Sequence, residues 1–294
     1  MAVYDQSYLP WSGTYAGRPS RIWALVRPGL TQPFRSFWIL IVIILAFMIV
    51  GGWLLILFAV ASAQIPQVFA LGNNLYRQNF YNNSMFSTIL AVLSATVGAS
   101  LISRDLRHNA LLTIFARAIT RGDYVAAKFL TLTLFLLFVT LGPGLLLFIG
   151  QIGMGTEDLS AGQRLADLGS ITLHSLIMVV PMASAVLACS SLSKRAYVAG
   201  ILWAVIFFSS TQFSSILSAT LHEDWCGLLS WTNLTSHLGN ALYQSRPVRP
   251  GILSGPENPV LPYGPWPPLL ILGTVTVVSL GIVRWRVRSV EAGE

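Results

Sequence analysis

Residues 37–63 read FWILIVIILAFMIVGGWLLILFAVASA, a run of 27 without one charged side chain. A helix rises 1.5 Å per residue and the hydrocarbon core of a bilayer is about 30 Å thick, so about 20 apolar residues cross it and a longer run crosses with tilt. The run is too long, and starts too far into the chain, to be the apolar core of a signal peptide, and no segment is expected to be cleaved. The rest of the chain agrees. Of 294 residues, 54% are hydrophobic and 10% charged, with a mean hydropathy of +0.67. A soluble domain carries about 25% charged residues. The 18 basic and 11 acidic side chains here are too few to coat the chain in water. A soluble enzyme, a secreted disulfide scaffold and a disordered chain are excluded. The 2 cysteines, Cys189 and Cys226, lack the close spacing of a zinc or redox pair.

Five further stretches reach or approach membrane length: 85–102, 129–149, 168–192, 196–220 and 266–283. The third span carries Gly142-Pro143-Gly144 near its end, where a kink or break is expected, and the fourth contains Pro181. Proline does not disqualify either, because neighbouring helices can satisfy the freed carbonyls. Pro267-Pro268 suits the first turn of the sixth span. The expected fold is all-α and membrane-integral: an N-terminal segment 1–36, a six-helix domain 37–283 and a short tail 284–294.

Lysine and arginine set the orientation. With six crossings, fourteen of the 18 basic residues fall in the connections on one side, and four (Arg77, Arg164, Arg246 and Arg249) on the other. The basic side is read as cytoplasmic, with both termini inside. The formal charge of +7 then anchors the chain to anionic lipid rather than to nucleic acid.

Three connections carry more. Pro19-Ser20 starts a short helix with Ile22, Leu25 and Val26 on one face beside Arg21 and Arg27, ended by Pro28 and lying on the inner leaflet. The loop 103–128 is basic. The outer loop 221–265 places Trp225, Leu228, Trp231, Leu234, Leu238 and Leu242 at helical spacing, read as a helix flat on the outer membrane face, and its second half is proline-rich and irregular.

No motif supports catalysis. Leu159-Ser160-Ala161-Gly162-Gln163 looks like the signature peptide of ABC ATPases, but no phosphate loop G-x-x-x-x-G-K-[ST] accompanies it. His222-Glu223 begins like a zinc-protease helix, yet Cys226 stands where the second histidine belongs. His174 reads either as a hydrogen-bonded residue inside the bundle or as a ligand or proton carrier. Asn82-Asn83-Ser84 and Asn233-Leu234-Thr235 fit the glycosylation pattern, which is common by chance. No Asp, Glu, Lys or Arg lies deep in a span, and Asp167 sits at a boundary, so an ion-coupled carrier is disfavoured. No catalytic, metal or cofactor residues are expected in this chain.

The spans show packing chemistry instead. Ala91, Ala95 and Ala99 in span two, and Ala196, Gly200 and Ala204 in span five, recur every four residues. Such ridges bring helices close, within the chain or between two copies. Span five also carries Ser209, Ser210, Thr211, Gln212, Ser214 and Ser215. These bond to neighbouring helices or border a cavity open to the outside.

The loop after span two runs SRDLRHNALLTIFARAITRGDYVAAK over 103–128. It reads as an amphipathic helix, a turn and the start of span three, with Leu111, Phe115 and Ile119 on one face and Arg117 and Arg121 on another. It resembles the loop of ABC-2-type exporter permeases, in which an acidic residue, a Gly-Thr-Leu-like step, an Arg-Pro-Ile-Ser/Thr-Arg turn and a lysine follow in order. The matching positions are Asp105, Asn109-Ala110-Leu111, Arg117-Ala118-Ile119-Thr120-Arg121 and Lys128, with Asn109 in place of glycine and Ala118 in place of proline. The resemblance implies the permease subunit of a bacterial cytoplasmic-membrane exporter. ATP and Mg would bind a separate ATPase dimer, and two permeases, identical or homologous, would form the pathway. The coupling helix would present Arg104, Asp105, Arg107, His108, Leu111, Leu112, Phe115, Arg117 and Arg121 to the ATPase. Spans two and five would border the route, with Ser94, Thr96, Ser209, Thr211 and Gln212 as lining. The alternative reading is a non-transporting membrane anchor or assembly subunit.

Overall fold

The computed structural model describes residues 17–63, 84–115, 119–153, 161–243 and 264–291. Helix is the only regular structure among them: α1 Arg18–Thr31, α2 Phe37–Ala63, α3 Ser84–Arg107, α4 Ala110–Phe115, α5 Arg121–Gly153, α6 Ala161–Leu192, α7 Ala196–Leu221, α8 Trp231–Leu242 and α9 Trp266–Glu291. Short 3₁₀ turns stand at Pro33–Arg35 and Asp224–Leu229. Six helices (α2, α3, α5, α6, α7 and α9) are long and apolar enough to cross a membrane. Apolar length drives this pattern, since in lipid a chain must satisfy its backbone hydrogen bonds internally.

The first span starts at Phe37, as read from composition, and is helical through Ala63, the last described residue before 84. The others run past their apolar cores, most of all α5, which starts at Arg121, and α9, which is helical through Glu291, the last described residue. Backbone bonding does not stop where the side chains turn polar. Pro28, expected to end the first helix, does not end it, and Pro143, expected to kink or break α5, does not break it. α1 passes through Pro28 and ends at Thr31, and α5 passes through Pro143. A mid-helix proline removes one N–H donor; beyond Pro28 the ladder resumes, with the Gln32 amide donating to the Pro28 carbonyl at 3.2 Å.

α3, α5 and α6 form the centre of the bundle, and α2, α7 and α9 pack around it with most of their surface outward. The close approach at the centre fixes Gly98 of α3, where a Cβ would collide with Val186 of α6 and Leu132 of α5. α1 lies along α5 rather than on lipid alone. Val26 is fully buried, and a Cβ at Gly29 would strike Thr131.

The connection before the last span also departs from the single flat helix expected. The chain leaves α7 through His222 in the left-handed conformation (φ 54°) and forms the Asp224–Leu229 turn. Ser230 then caps α8, its Oγ accepting from the Asn233 amide at 3.3 Å. Cys226, Trp231, Leu234 and Leu238 are buried against α6, α7 and α9, so this insertion closes one end of the bundle. Its proline-rich second half lies outside the described residues.

Candidate functional site

The loop between the second and third crossings is built from the last turn of α3, a tight turn, and α4. Residues 103–107, read as the start of a separate loop helix, continue α3. The turn falls at His108 and Asn109, and Asn109 takes φ 52°. Asparagine tolerates the left-handed region better than other residues with a Cβ, which accounts for its standing where the resembling loops have glycine.

Asp105 points into the loop. Its Oδ2 accepts from the Tyr124 hydroxyl at 2.7 Å and pairs with Lys128 Nζ at 2.8 Å, and the Lys128 ammonium lies 5.4 Å from the centre of the Tyr124 ring. This brace ties the end of α3 to the start of α5. Leu111 is buried in the core beneath it, and the Phe115 ring meets Tyr124 edge-on, the centroids 5.9 Å apart. Arg104, Arg107, His108 and Arg121 are exposed. The loop thus has an inner set that holds it (Asp105, Leu111, Phe115) and an outer set of cations. Arg117 lies outside the described residues, as does the side chain of Leu112.

A second device fixes the start of α5. The Thr120 Oγ accepts from the Asp123 amide at 3.2 Å, while Asp123 Oδ2 accepts from the Thr120 amide at 3.3 Å and its hydroxyl at 2.8 Å. This is a capping box with an aspartate at its third position. The other carboxylate oxygen, Oδ1, receives Arg18 Nε at 2.7 Å, which joins α1 to the loop. The spacing Thr120-x-x-Asp123 before an apolar run is the signal that marks this cap in the sequence. Nothing local marks Arg18 as its partner, 105 residues away.

The two small-residue ridges meet each other. A Cβ on Gly200 would sit 3.5 Å from the Ala95 carbonyl and 3.6 Å from the Ala99 Cβ, ordinary contact distances. Ala91 lies in the same seam, where its carbonyl accepts from the Trp203 indole N–H at 3.3 Å, and Ala204 follows Trp203 on α7. Trp203 also donates to Ser94 Oγ at 2.9 Å. From α6, Ser190 Oγ donates to the Ala99 carbonyl at 2.7 Å and accepts from the Ile102 and Ser103 amides at 3.2 and 3.1 Å. Span two is thereby held by hydrogen bonds from both neighbours.

The residues read as pathway lining divide. Ser94 is buried in the α3–α7 seam. Thr96 borders a cavity of about 130 Å³ at the basic end, with Gly29, Gln32, Ser36, Ser100 and Arg104. In α7, Ser214 Oγ donates to the Cys226 carbonyl at 2.7 Å and so secures the insertion. Ser209 and Gln212 face outward, and Thr211 is half-buried. His174 lies on α6 beneath the insertion, edge-on to Tyr243 with centroids 5.6 Å apart, and a Cβ at Gly239 would collide with its ring.

Six helices long and apolar enough to cross a membrane, packed around a core of aliphatic and aromatic side chains, are the architecture of a polytopic membrane protein. A family comparison agrees. Residues 35–211 match the family model described as ABC-2 family transporter protein, and the chain belongs to that family of membrane transport subunits. The match covers the first four crossings, the braced loop and α7 as far as residue 211, while α8 and α9 lie beyond it. No curated protein matches the chain at a significant level.

Proposed function

We propose that this chain is the permease subunit of an ATP-driven exporter, with its motor in a separate ATPase and the loop 103–128 as the coupling element on the cytoplasmic side. The observation that carries this reading is the division of labour in the loop. A segment that transmits force needs rigid attachment to the spans and a free face for its partner. Asp105, Tyr124, Lys128 and Leu111 supply the first, and Arg104, Arg107 and His108 supply the second. The concentration of arginine and lysine at this end supports a cytoplasmic placement. ATP and Mg would bind the partner, and a second permease, identical or homologous, would complete the pathway against the outward faces of the outer helices. The membrane is proposed to be the bacterial cytoplasmic membrane.

Two measurements test this. First, the chain is tagged, expressed in its native host, purified in detergent and tested for a co-purifying ATPase. A stoichiometric complex whose ATP hydrolysis falls in Arg107→Glu, with the complex otherwise folded, supports the reading. A chain that binds no ATPase, or binds one without stimulating it, is an anchor or assembly subunit. Second, His108→Cys is treated on intact cells with a membrane-impermeant thiol reagent. The native Cys189 and Cys226 are buried and give little background. Labelling there puts the loop outside and overturns the mechanism.

A further inference from the structure

α3 lies at the centre of the bundle and presents one outward stripe. Val92, Thr96, Ser100 and Arg104 recur on it every four residues, while the residues between them are buried, apart from the half-buried Ala95. The basic end of this stripe forms one wall of a cavity of about 130 Å³. Gln32 and Ser36, from the connection between α1 and α2, line it with Ile39, Thr96, Ser100 and Arg104. Phe37 and Trp38 fall between two of these lining residues in sequence and are 72% and 77% exposed. Tryptophan prefers the headgroup level of a bilayer, which puts the mouth of the cavity there. At 1.5 Å per residue, Ser100 stands about 6 Å and Thr96 about 12 Å along the axis from Arg104, toward the apolar interior.

Hydrogen bonding changes with depth in this cavity. At its mouth the exposed Arg104 and Gln32 side chains carry N–H donors and have no hydrogen bond or ion pair to a described residue. Deeper, Ser100 Oγ donates to the Val97 carbonyl at 3.0 Å and Thr96 Oγ1 to the Leu93 carbonyl at 3.1 Å. Each hydroxyl proton is thereby committed, and each oxygen keeps lone pairs for a donor from outside. Guanidinium groups bind phosphate oxygens in charge-assisted hydrogen bonds. Donors at headgroup level, with a hydroxyl acceptor one turn deeper, match a phosphate ester whose free hydroxyl lies between its phosphate and its chain. A second, ester-linked chain would use up that hydroxyl. We propose that this cleft binds a single-chain lipid of the lysophospholipid type. Its phosphate sits at Arg104 and Gln32, its hydroxyl donates to Ser100 Oγ, and its chain passes Thr96 into the lipid. The proposal needs only that the bundle spans a membrane, and it is independent of coupling and export.

The test is a titration of the purified full-length protein in an amine-oxide detergent, read by native mass spectrometry. The probes are palmitoyl lysophosphatidic acid, hexadecyl phosphate, which lacks the hydroxyl, and glycerol 3-phosphate, which lacks the chain. Saturable retention of lysophosphatidic acid is expected, about fivefold tighter than hexadecyl phosphate, with no retention of glycerol 3-phosphate at the same concentration. Ser100→Ala should erase the preference and bring the two lipids to one level. Arg104→Gln should weaken both about tenfold. Thr274→Val removes a hydroxyl bonded in the same way, Oγ1 to the Leu270 carbonyl at 2.7 Å, from the exposed side of α9, and leaves retention unchanged. Melting in detergent checks that each variant is folded. Equal retention of hexadecyl phosphate by the parent protein overturns the proposal without any variant. Retention of glycerol 3-phosphate overturns it in favour of a soluble anion. A preference that survives Ser100→Ala, or an affinity that survives Arg104→Gln, places the lipid elsewhere and overturns it too.

Discussion

Lys128 Nζ lies 2.8 Å from Asp105 Oδ2, the same oxygen that accepts the Tyr124 hydroxyl at 2.7 Å. One carboxylate thus closes the junction of α3 and α5, with its side chain only 20% exposed. Breaking a half-buried, charge-assisted pair costs more than breaking a surface pair, because the remaining ammonium stays partly desolvated. Asp105→Asn is expected to destabilise the folded protein by about 2 kcal/mol, and Tyr124→Phe by about 1 kcal/mol. The double variant Asp105→Asn/Lys128→Met should lose less than the sum of its single changes. Thermal unfolding in detergent measures all four, and strict additivity would show that the two charges do not interact.

Four glycines differ in what surrounds them, and their alanine variants should rank accordingly. At Gly98 a methyl group has no room between Val186 and Leu132, and at Gly239 none against the His174 ring. Gly98→Ala and Gly239→Ala are each expected to cost about 1–3 kcal/mol through overpacking. At Gly200 the contacts are of ordinary length and at Gly281 there are none within 4 Å. Gly200→Ala and Gly281→Ala should therefore melt within about 0.5 kcal/mol of the parent, helped by the better helix propensity of alanine. Equal melting of all four variants would remove the claim that the α3–α5–α6 centre is set by close approach.

His174 offers a paired test of the end closed by the insertion. If Gly239→Ala is destabilised because its methyl group meets the imidazole, shrinking that ring should relieve it. His174→Ala/Gly239→Ala is expected to melt above the value predicted by adding the two single losses, with a coupling of about 1 kcal/mol or more. A coupling of zero places the cost of Gly239→Ala elsewhere in α8.

Composition and apolar run length were enough to find six crossings, because the cost of exposing backbone to lipid leaves a chain few alternatives. The start of α2 at Phe37 could be read to the residue, and the facing ridges of α3 and α7 were visible as repeats. What stayed hidden was the direction of individual polar side chains. Asp105 has a sequence environment of exposed arginines, yet it turns inward to Tyr124 and Lys128, 19 and 23 positions on. Leu111 fits a docking face as well as a core, and only the packing of α4 under α3 and α5 buries it. The polar run of α7 likewise splits by direction, Ser214 toward Cys226 and Gln212 away from the bundle. The insertion before α9 is two pieces because Ser230 offers a cap that helical spacing alone does not register.

Asn109 joins the loop's geometry to its sequence. At φ 52° most side chains suffer a clash between Cβ and the backbone that glycine avoids and asparagine partly offsets by local hydrogen bonding. Asn109 is exposed, so substitutions there test backbone conformation with little change in packing. Asn109→Gly is expected to leave the melting temperature unchanged or slightly raised. Asn109→Val should lower stability by about 1–2 kcal/mol, because a β-branched residue tolerates the left-handed region least. The same strain can be released by unwinding the turn, which would move Arg107 and His108 relative to the Asp105 brace. If the loop couples to an ATPase as proposed, Asn109→Val should reduce the stimulation of that ATPase more than it reduces stability, whereas Asn109→Gly should retain both. A valine variant with normal melting and normal stimulation would show that the turn at 108–109 need not be left-handed for the loop to work.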